Sequence, residues 1–579
     1  MKRRRFGGPA GKILTLLLIL AAAGVGLIVR NTNMIPTKYL VLGGIIVGVL
    51  IGVVGYLTWN FNHRGKFVIG LFLWFAILMV LAVAAMYVTQ TRTTITDIAT
   101  PEMEVSEMGL FVAQTSTAAT TADTAGATVG ILRDLDRENT NAAIEKFSED
   151  LGSTPATMEY DGLTELVDGL VSGETGAIIL NTAYLDVIRD LEGYAALDSM
   201  IRQVETKSVE TVPEPAVTQP TVAYGGSSEG VVGSDSTDGS QAAVAENVNK
   251  DVIVVYISGI DNRGGIVAKS RSDVNIVAVA NMKTKQMLLI NTPRDFFVPL
   301  SISNGAPDKL THAGIYGINV SMDTLSMLYN VSIPYYIKVN FQGFIDIINA
   351  LGGIDVYSDY EFDSKNELGW HYVQGMNHMD GEAALTYARE RFSFADGDRQ
   401  RGKNQMAVIE GIMAKASSTE LLTNYSAIMK SLEGSFETNI SYDEIARIMQ
   451  KQLNENGDWN LVSYSVNGTG GTEKPYSLST PAYVMIPDQS TVDTAKMLIR
   501  DVINDVVLQQ VDEEITPLLS PEEADAIAAE ANGLLTPTPD PAAPVAGGTE
   551  GMIGAPAATD ASMAVPAAEP VAEVAVPAV

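Results

Sequence analysis

Between Arg389 and Gln405 the sequence reads RERFSFADGDRQRGKNQ, which packs eight charged side chains into seventeen positions of a chain that is 18% charged overall. Arg389 and Arg391 stand two apart at the end of the helical pattern GEAALTYARER, and Arg401 and Gln405 stand four apart on the next, hence on one face. A guanidinium is planar, permanently charged and weakly hydrated, so it grips a phosphate through paired hydrogen bonds. The competing reading is a salt-bridged helix–loop–helix in which Glu390, Asp396 and Asp398 neutralise their neighbours. Five cations against three anions, in a chain of net charge −31, favour an external anion as the missing partner.

Two carboxylates extend the pattern. Asp261 ends the strand-like run VIVVYISGID and Asp273 opens the next, SRSDVNIVAVAN, so side chains twelve residues apart can meet at one edge of a sheet, where ligand sites gather. Two aspartates with few other protein ligands suit Mg2+, which completes its shell with water and phosphate oxygens. Alternatively, Asp261 shapes a turn and Asp273 pairs with Arg271. A further charged pair, Arg294 and Asp295, leaves the third strand in NTPRD, where Pro293 lacks a backbone donor and turns the chain out of the sheet. As a surface ion pair it would be worth ~0–1 kcal/mol; beside Asp261 and Asp273, Arg294 reads as a phosphate ligand. His312, His371 and His378 follow no zinc spacing and no cysteine accompanies them, so they are read as surface or core residues.

The elements that must position these groups divide the chain. Three apolar runs, Ile13–Val29, Tyr39–Thr58 and Phe67–Val88, each approach the ~20 residues of a membrane-crossing helix. A signal peptide would account for the first run alone, so a three-helix anchor over 1–90 is the better reading. Lys2, Arg3, Arg4, Arg5, Arg64 and Lys66 mark the cytoplasmic side, against Arg30 and Lys38 on the other. The expected topology is therefore a multi-pass cell-membrane protein with a cytoplasmic N-terminus and a large extracellular C-terminal part. Residues 91–125, rich in Thr, Ala and Ser, read as a membrane-proximal spacer, 126–205 as a small α/β domain, and 206–249 as a Pro/Gly/Ser linker. Residues 250–510 mix short β-branched strands with amphipathic helices, which predicts one three-layer α/β/α domain with a mixed sheet. Residues 511–579 are acidic and Pro/Ala-rich, a composition that cannot bury enough apolar surface to fold. The absence of cysteine excludes disulfides, and the acidic balance, which repels phosphate backbones, argues against nucleic acid as a partner.

In order, GIDNR, SRSD, NTPRD, DKLTHAGIYG, FQGFIDIINALGGIDV and YARERFSFADGDRQRGKNQ resemble the signature blocks of the LytR-CpsA-Psr family of bacterial envelope phosphotransferases. The small domain and the three spans resemble its capsule-assembly branch. The resemblance implies transfer of a glycopolymer, a capsular polysaccharide or teichoic acid, as a sugar phosphate from a polyprenyl diphosphate lipid to a peptidoglycan hydroxyl. It implies Mg2+ on Asp261 and Asp273, and pyrophosphate on Arg271, Arg294, Arg389, Arg391, Arg401 and Gln405, with Lys309 as a further contact. Arginine clamps and Mg2+ would neutralise the diphosphate, with Arg294 among the catalytic groups and Asp295 or Asp398 as general base. Other envelope-assembly proteins are further candidate partners. Two other readings stand beside transfer: a hydrolase that cleaves polyprenyl diphosphate, and a non-enzymatic sensor or regulator that binds lipid-linked precursors.

Overall fold

A computed structural model describes residues 8–59, 64–99, 104–211, 250–260, 269–395, 397–416, 427–455, 457–511 and 514–517. Three helices, α1 (Gly8–Asn31), α2 (Thr37–Trp59) and α3 (Arg64–Ile98), are long and apolar enough to cross a membrane. Hydrocarbon offers no hydrogen-bond partner, and the bundle supplies its own: Trp59 Nε1 donates to Thr15 Oγ1 at 3.0 Å and Trp74 Nε1 to the Leu14 carbonyl at 2.7 Å. The turn between α1 and α2 meets the large domain. Tyr442 Oη donates to the Thr32 carbonyl at 2.8 Å and Tyr39 Oη to the Leu453 carbonyl at 2.9 Å, while Met34 and Ile95 pack on Ala446. That turn and the large domain therefore lie on the same side of the anchor.

The small domain begins earlier than its composition suggests. Its five strands are β1 (Glu104–Ala113), β2 (Val129–Leu132), β3 (Thr157–Tyr160), β4 (Ala177–Asn181) and β5 (Ile201–Thr211), in the order β3-β2-β4-β1-β5. The spacer expected over 91–125 is thus corrected: α3 runs on to Ile98, and β1 lies inside the sheet, antiparallel to both β4 and β5. Met108, Leu110, Phe111 and Val112 bury both faces of β1. Helix Arg137–Leu151 covers one face through Ala143 and Phe147, and helix Leu163–Ser172 the other through Leu163, Leu166, Val167 and Leu170. The expected boundary at 205 also moves, because β5 continues to Thr211; residues 212–249 lie outside the described set.

The large domain is built on a six-stranded mixed sheet. At its centre β6 (Val252–Ile260), β7 (Ser272–Asn281) and β8 (Gln286–Asn291) run antiparallel in turn. Strand Tyr335–Asn340 joins β6 in parallel, Asn460–Ser465 joins β8 in parallel, and Phe436–Thr438 closes one edge. Alternate side chains face opposite layers. Val277, Val279, Leu288 and Ile290 pack with Met322, Leu325, Leu498 and Ile499 from helices Ile318–Tyr329 and Gln489–Ile503. Ile276, Ala278 and Leu289 pack on Met406 of helix Asp398–Ala416, and Ile253 and Val255 against Ile445 and Ile448 of helix Tyr442–Glu455. The three-layer α/β/α architecture is the one the strand and helix patterns predict. Helix Gln489–Ile503 is capped by Asp488, which accepts from Ser490 N at 3.0 Å. The end of the domain and the first residues of the expected unfolded tail pair as a hairpin, Leu508–Val511 with Glu514–Pro517, which corrects the boundary at 510; the rest of the tail lies outside the described residues.

Candidate functional site

β7 and β8 are registered so that Ile276 stands opposite Asn291, which places the entry of one and the exit of the other at the same sheet edge. There Arg294 Nη1 donates to both oxygens of Asp273, at 3.0 and 2.9 Å, and Thr311 Oγ1 donates to Asp273 Oδ1 at 3.3 Å. The same guanidinium reaches Asp295, with Nε 3.6 Å from Oδ2, and Lys309 Nζ lies 3.4 Å from Asp295 Oδ1. A short hairpin explains the last contact. Strand Phe297–Pro299 leaves directly from Asp295 and pairs with Pro307–Lys309, setting Lys309 opposite Phe297.

Helix Asp398–Ala416 brings Arg401 and Gln405 to this edge by an unusually close approach to β8. A Cβ on Gly402 would stand 2.0 Å from Asn291 Nδ2, so a side chain there would have to displace the Asn291 amide or the helix itself. Arg401 and Gln405 are both buried. Burial alone would push the Asp273 and Asp295 carboxyls up. For Asp273 the guanidiniums of Arg294, Arg271 and Arg401 more than offset it, and for Asp295 those of Arg294 and Arg401 with the Lys309 ammonium. Both carboxylates are held below their ordinary range and stay ionised.

Arg271 departs from expectation. Its guanidinium turns to the small domain, with Nη1 2.8 Å from Asp190 Oδ2 and Nη2 3.6 Å from Asp186 Oδ2. The Asp273–Arg271 pair considered from sequence is therefore replaced at Asp273 by Arg294. Asp186 and Asp190 were missed by sequence reasoning; their one signal is two carboxylates four apart, on one helical face.

Arg389 and Arg391 are held differently. Arg389 Nη1 lies 3.3 Å from Glu367 Oε1 and its guanidinium stacks on Phe341 at 4.6 Å, while Arg391 stacks on Phe392 at 4.6 Å. Glu390, between them, does not neutralise them as the salt-bridge reading supposed. Its carboxylate is buried and accepts from Ser364 Oγ at 2.6 Å and from the backbone N–H groups of Lys365, Asn366 and Ser393 at 2.9–3.2 Å. The apolar faces of the neighbouring helices are spent on core, where Ile348, Leu351, Val356, Ala384, Tyr387 and Val408 share one buried cluster. His312 is a core residue bonded to Asp308 at 2.7 Å, and His371 and His378 are exposed partners of Asp363 and Asp355. Asp261 and the side chain of Asp398 lie outside the described residues.

Residues 223–496 match the model of the LytR-CpsA-Psr family. Over 202 residues the chain is 35% identical to the polyisoprenyl-teichoic acid–peptidoglycan teichoic acid transferase TagU of Enterococcus faecalis, covering 34% of this chain and 65% of that protein. Over 210 residues it is 34% identical to TagU of Bacillus cereus, covering 36% of this chain and 67% of that protein. The chain belongs to the LytR-CpsA-Psr family. Its match spans about two thirds of the length of these curated relatives. The crystal structure of B. subtilis TagV, another similar protein, is 26% identical, aligned over 44% of this chain and 98% of that one with a TM-score of 0.38. Against the family match, the buried charges at the β7–β8 edge fall within the matched segment, whereas Asp186 and Asp190 precede it.

Proposed function

We propose that this chain is an envelope transferase that moves a glycopolymer, a teichoic acid or capsular polysaccharide, as its sugar phosphate from a polyprenyl diphosphate carrier to a hydroxyl of peptidoglycan. The observation that carries the reading is the buried charge at the β7–β8 edge: among the described residues, Arg294 and Lys309 touch Asp273 and Asp295, and the charges of Arg271 and Arg401 act on Asp273 as well. A diphosphate is the kind of anion that preorganised guanidiniums grip through paired, charge-assisted hydrogen bonds. The activity in the relatives' names, transfer of teichoic acid from a polyisoprenyl carrier to peptidoglycan, is of the same kind.

In this reading the hydroxyl attacks the phosphorus that bears the sugar, the bond from that phosphorus to the bridging oxygen breaks, and polyprenyl monophosphate leaves. Arg294 and Arg401, already desolvated and fixed by their neighbours, stabilise the charge that grows on the transferring and leaving groups. Lys309 approaches as a point charge from the hairpin, and Gln405 donates one helical turn beyond Arg401. Mg2+ would be held by Asp261 and Asp273 and would neutralise phosphate oxygens there. Asp273 fits the role in being kept ionised, and a metal would share its oxygens with Arg294 Nη1. Asp295, held below its ordinary range by two cations at 3.4–3.6 Å, is a weak base and is better suited to orienting Arg294 and Lys309. Asp398 then remains the candidate acceptor of the hydroxyl proton. The helical anchor keeps this site beside the membrane that carries the lipid, with the large domain outside the cell.

The test uses the full chain in detergent or nanodiscs with a polyprenyl diphosphate-linked saccharide, Mg2+ and peptidoglycan fragments, beside the Arg294→Ala variant. Lipid monophosphate released together with saccharide–peptidoglycan adduct, by the parent alone, is the expected result. Monophosphate without adduct would make the protein a hydrolase, and tight binding without turnover would make it a sensor.

A further inference from the structure

Among the described residues, the cations of the β7–β8 edge meet Asp273 and Asp295 of their own domain and, at Arg271, Asp186 and Asp190 of the small one. Asp190 Oδ2 accepts from Arg271 Nη1 at 2.8 Å, and Asp186 stands 3.6 Å from Nη2. The acidic pair is itself anchored, because Arg189 Nη1 lies 2.5 Å from Asp186 Oδ1 and its Nη2 lies 2.7 Å from Asp198. Contacts of alternating charge thus run from Arg189 through Asp186 to Arg271 at the domain boundary, and from Asp273 through Arg294 and Asp295 to Lys309 within the large domain, while the Arg271 charge also acts on the Asp273 carboxylate. Arg271 is the link between them.

The backbone at Arg271 leaves its side chain little choice of origin. Helix Leu310–Tyr316 presses on both flanks, since a Cβ on Gly314 would lie 2.5 Å from the Ser270 carbonyl oxygen and 2.9 Å from Ser272 N. The guanidinium is nearly buried, with 9% of the side chain exposed, while Asp186 and Asp190 are half exposed. The two acids are therefore the outer wall against which Arg271 is set. Docking of the domains does not depend on them. Ile315 and Leu478 sit in the small domain's core, Lys269 Nζ lies 3.3 Å from Glu104 Oε2, and Thr164 Oγ1 and Ser479 Oγ are 3.0 Å apart.

We infer that the small domain completes the diphosphate site, with Asp190, supported by Asp186, acting as a positioning residue that fixes the Arg271 guanidinium beside Asp273. The inference rests on the diphosphate reading above and assigns that site a second domain. A fixed carboxylate behind a guanidinium restricts its rotamers before the ligand arrives, so less order is lost on binding.

Binding of geranylgeranyl diphosphate with Mg2+ to the full chain in detergent, followed by calorimetry, tests this without requiring turnover. Asp190→Asn is expected to weaken binding about tenfold, in the range seen when an outer-shell partner is lost. Asp190→Glu should recover much of it. In an Arg271→Ala background Asp190→Asn should have no further effect, a non-additivity that a purely structural role at the domain boundary would not produce. Ser479→Ala, at the same boundary but away from Arg271, should bind as the parent does. Parent-like affinity of Asp190→Asn would overturn the inference, and so would tighter binding, which would make the acids competitors of the diphosphate. If the parent binds no diphosphate at all, the functional reading itself fails, and the inference with it.

Discussion

Two sets of arginines serve the same proposed ligand, and the structure treats them in opposite ways. Arg294 and Asp273 keep only 12% and 16% of their side chains exposed and bond each other through both carboxylate oxygens, whereas Arg389 and its partner Glu367 are each 38% exposed and meet at 3.3 Å. The first set is over-determined: each charge has a partner, and each partner has another. The second rests on single contacts and on the faces of Phe341 and Phe392. A buried charge network cannot lose a member without stranding the rest, while a half-exposed arginine is free in energetic terms to exchange a carboxylate for a phosphate. In the proposed diphosphate reading, the β7–β8 edge is accordingly a preorganised floor, and Arg389 and Arg391 are the side that adapts.

Arg294→Ala should separate the two sets most strongly. It leaves Asp273 and Asp295 buried without their principal cation, and breaking a buried pair costs about 3–5 kcal/mol. Denaturant unfolding should show that loss, together with loss of diphosphate turnover. A stable Arg294→Ala protein would mean that the charge network is dispensable to the fold.

Gly402→Ala comes next. The added methyl group meets Asn291 Nδ2 at the sheet edge, and overpacking of this kind costs about 1–3 kcal/mol. Because the helix that yields carries Arg401 and Gln405, diphosphate affinity should fall with stability. Unchanged affinity in the destabilised variant would show that Asn291 moves and the helix does not.

Arg389→Ala should dissociate the two readouts. Its exposed ion pair contributes little to the fold, so thermal unfolding should shift by less than about 0.5 kcal/mol. Diphosphate affinity should drop about tenfold, the worth of one charge-assisted hydrogen bond. A fall in stability comparable to that of Arg294→Ala would erase the distinction between floor and rim.

The floor was only partly legible in the sequence. VIVVYISGI, VNIVAVAN and QMLLIN announce central strands because both of their faces are buried, and NTPRD announces a charged exit because proline ends the ladder. That Arg294 would hold Asp273, 21 residues back, depends on the antiparallel register of β7 and β8, which no local pattern encodes. β1 was lost in Thr- and Ala-rich surroundings, and β5, IRQVETKSVET, reads as polar because it is an edge strand in which only Ile201 and Val209 are fully buried. Asp186 and Asp190 look like an ordinary solvated helix face until the second domain arrives, 81 residues on in sequence at Arg271. Sequence exposes what is repeated or buried along one segment; it hides what two segments make together.

The smallest effect tests whether Arg401 belongs to the floor by charge or by packing. Asp273 and Asp295 have folded-state pKa values below their ordinary 3.8, so the stability they contribute is present in full above that value and is lost as pH falls through the folded values. Arg401 is one of the charges that depress both. In Arg401→Gln the two carboxylates should titrate closer to the ordinary value, leaving the variant less stable than the parent at neutral pH. As acid protonates the variant's carboxylates and then the parent's, the charge of Arg401 has less to act on, so the gap in unfolding temperature should be steady above the ordinary value of 3.8 and narrow as pH falls below it. A gap that stays constant below that value would assign Arg401 a packing role and remove it from the charge network. The same scan on Arg389→Ala, whose arginine is paired with Glu367 instead, should show no closing gap.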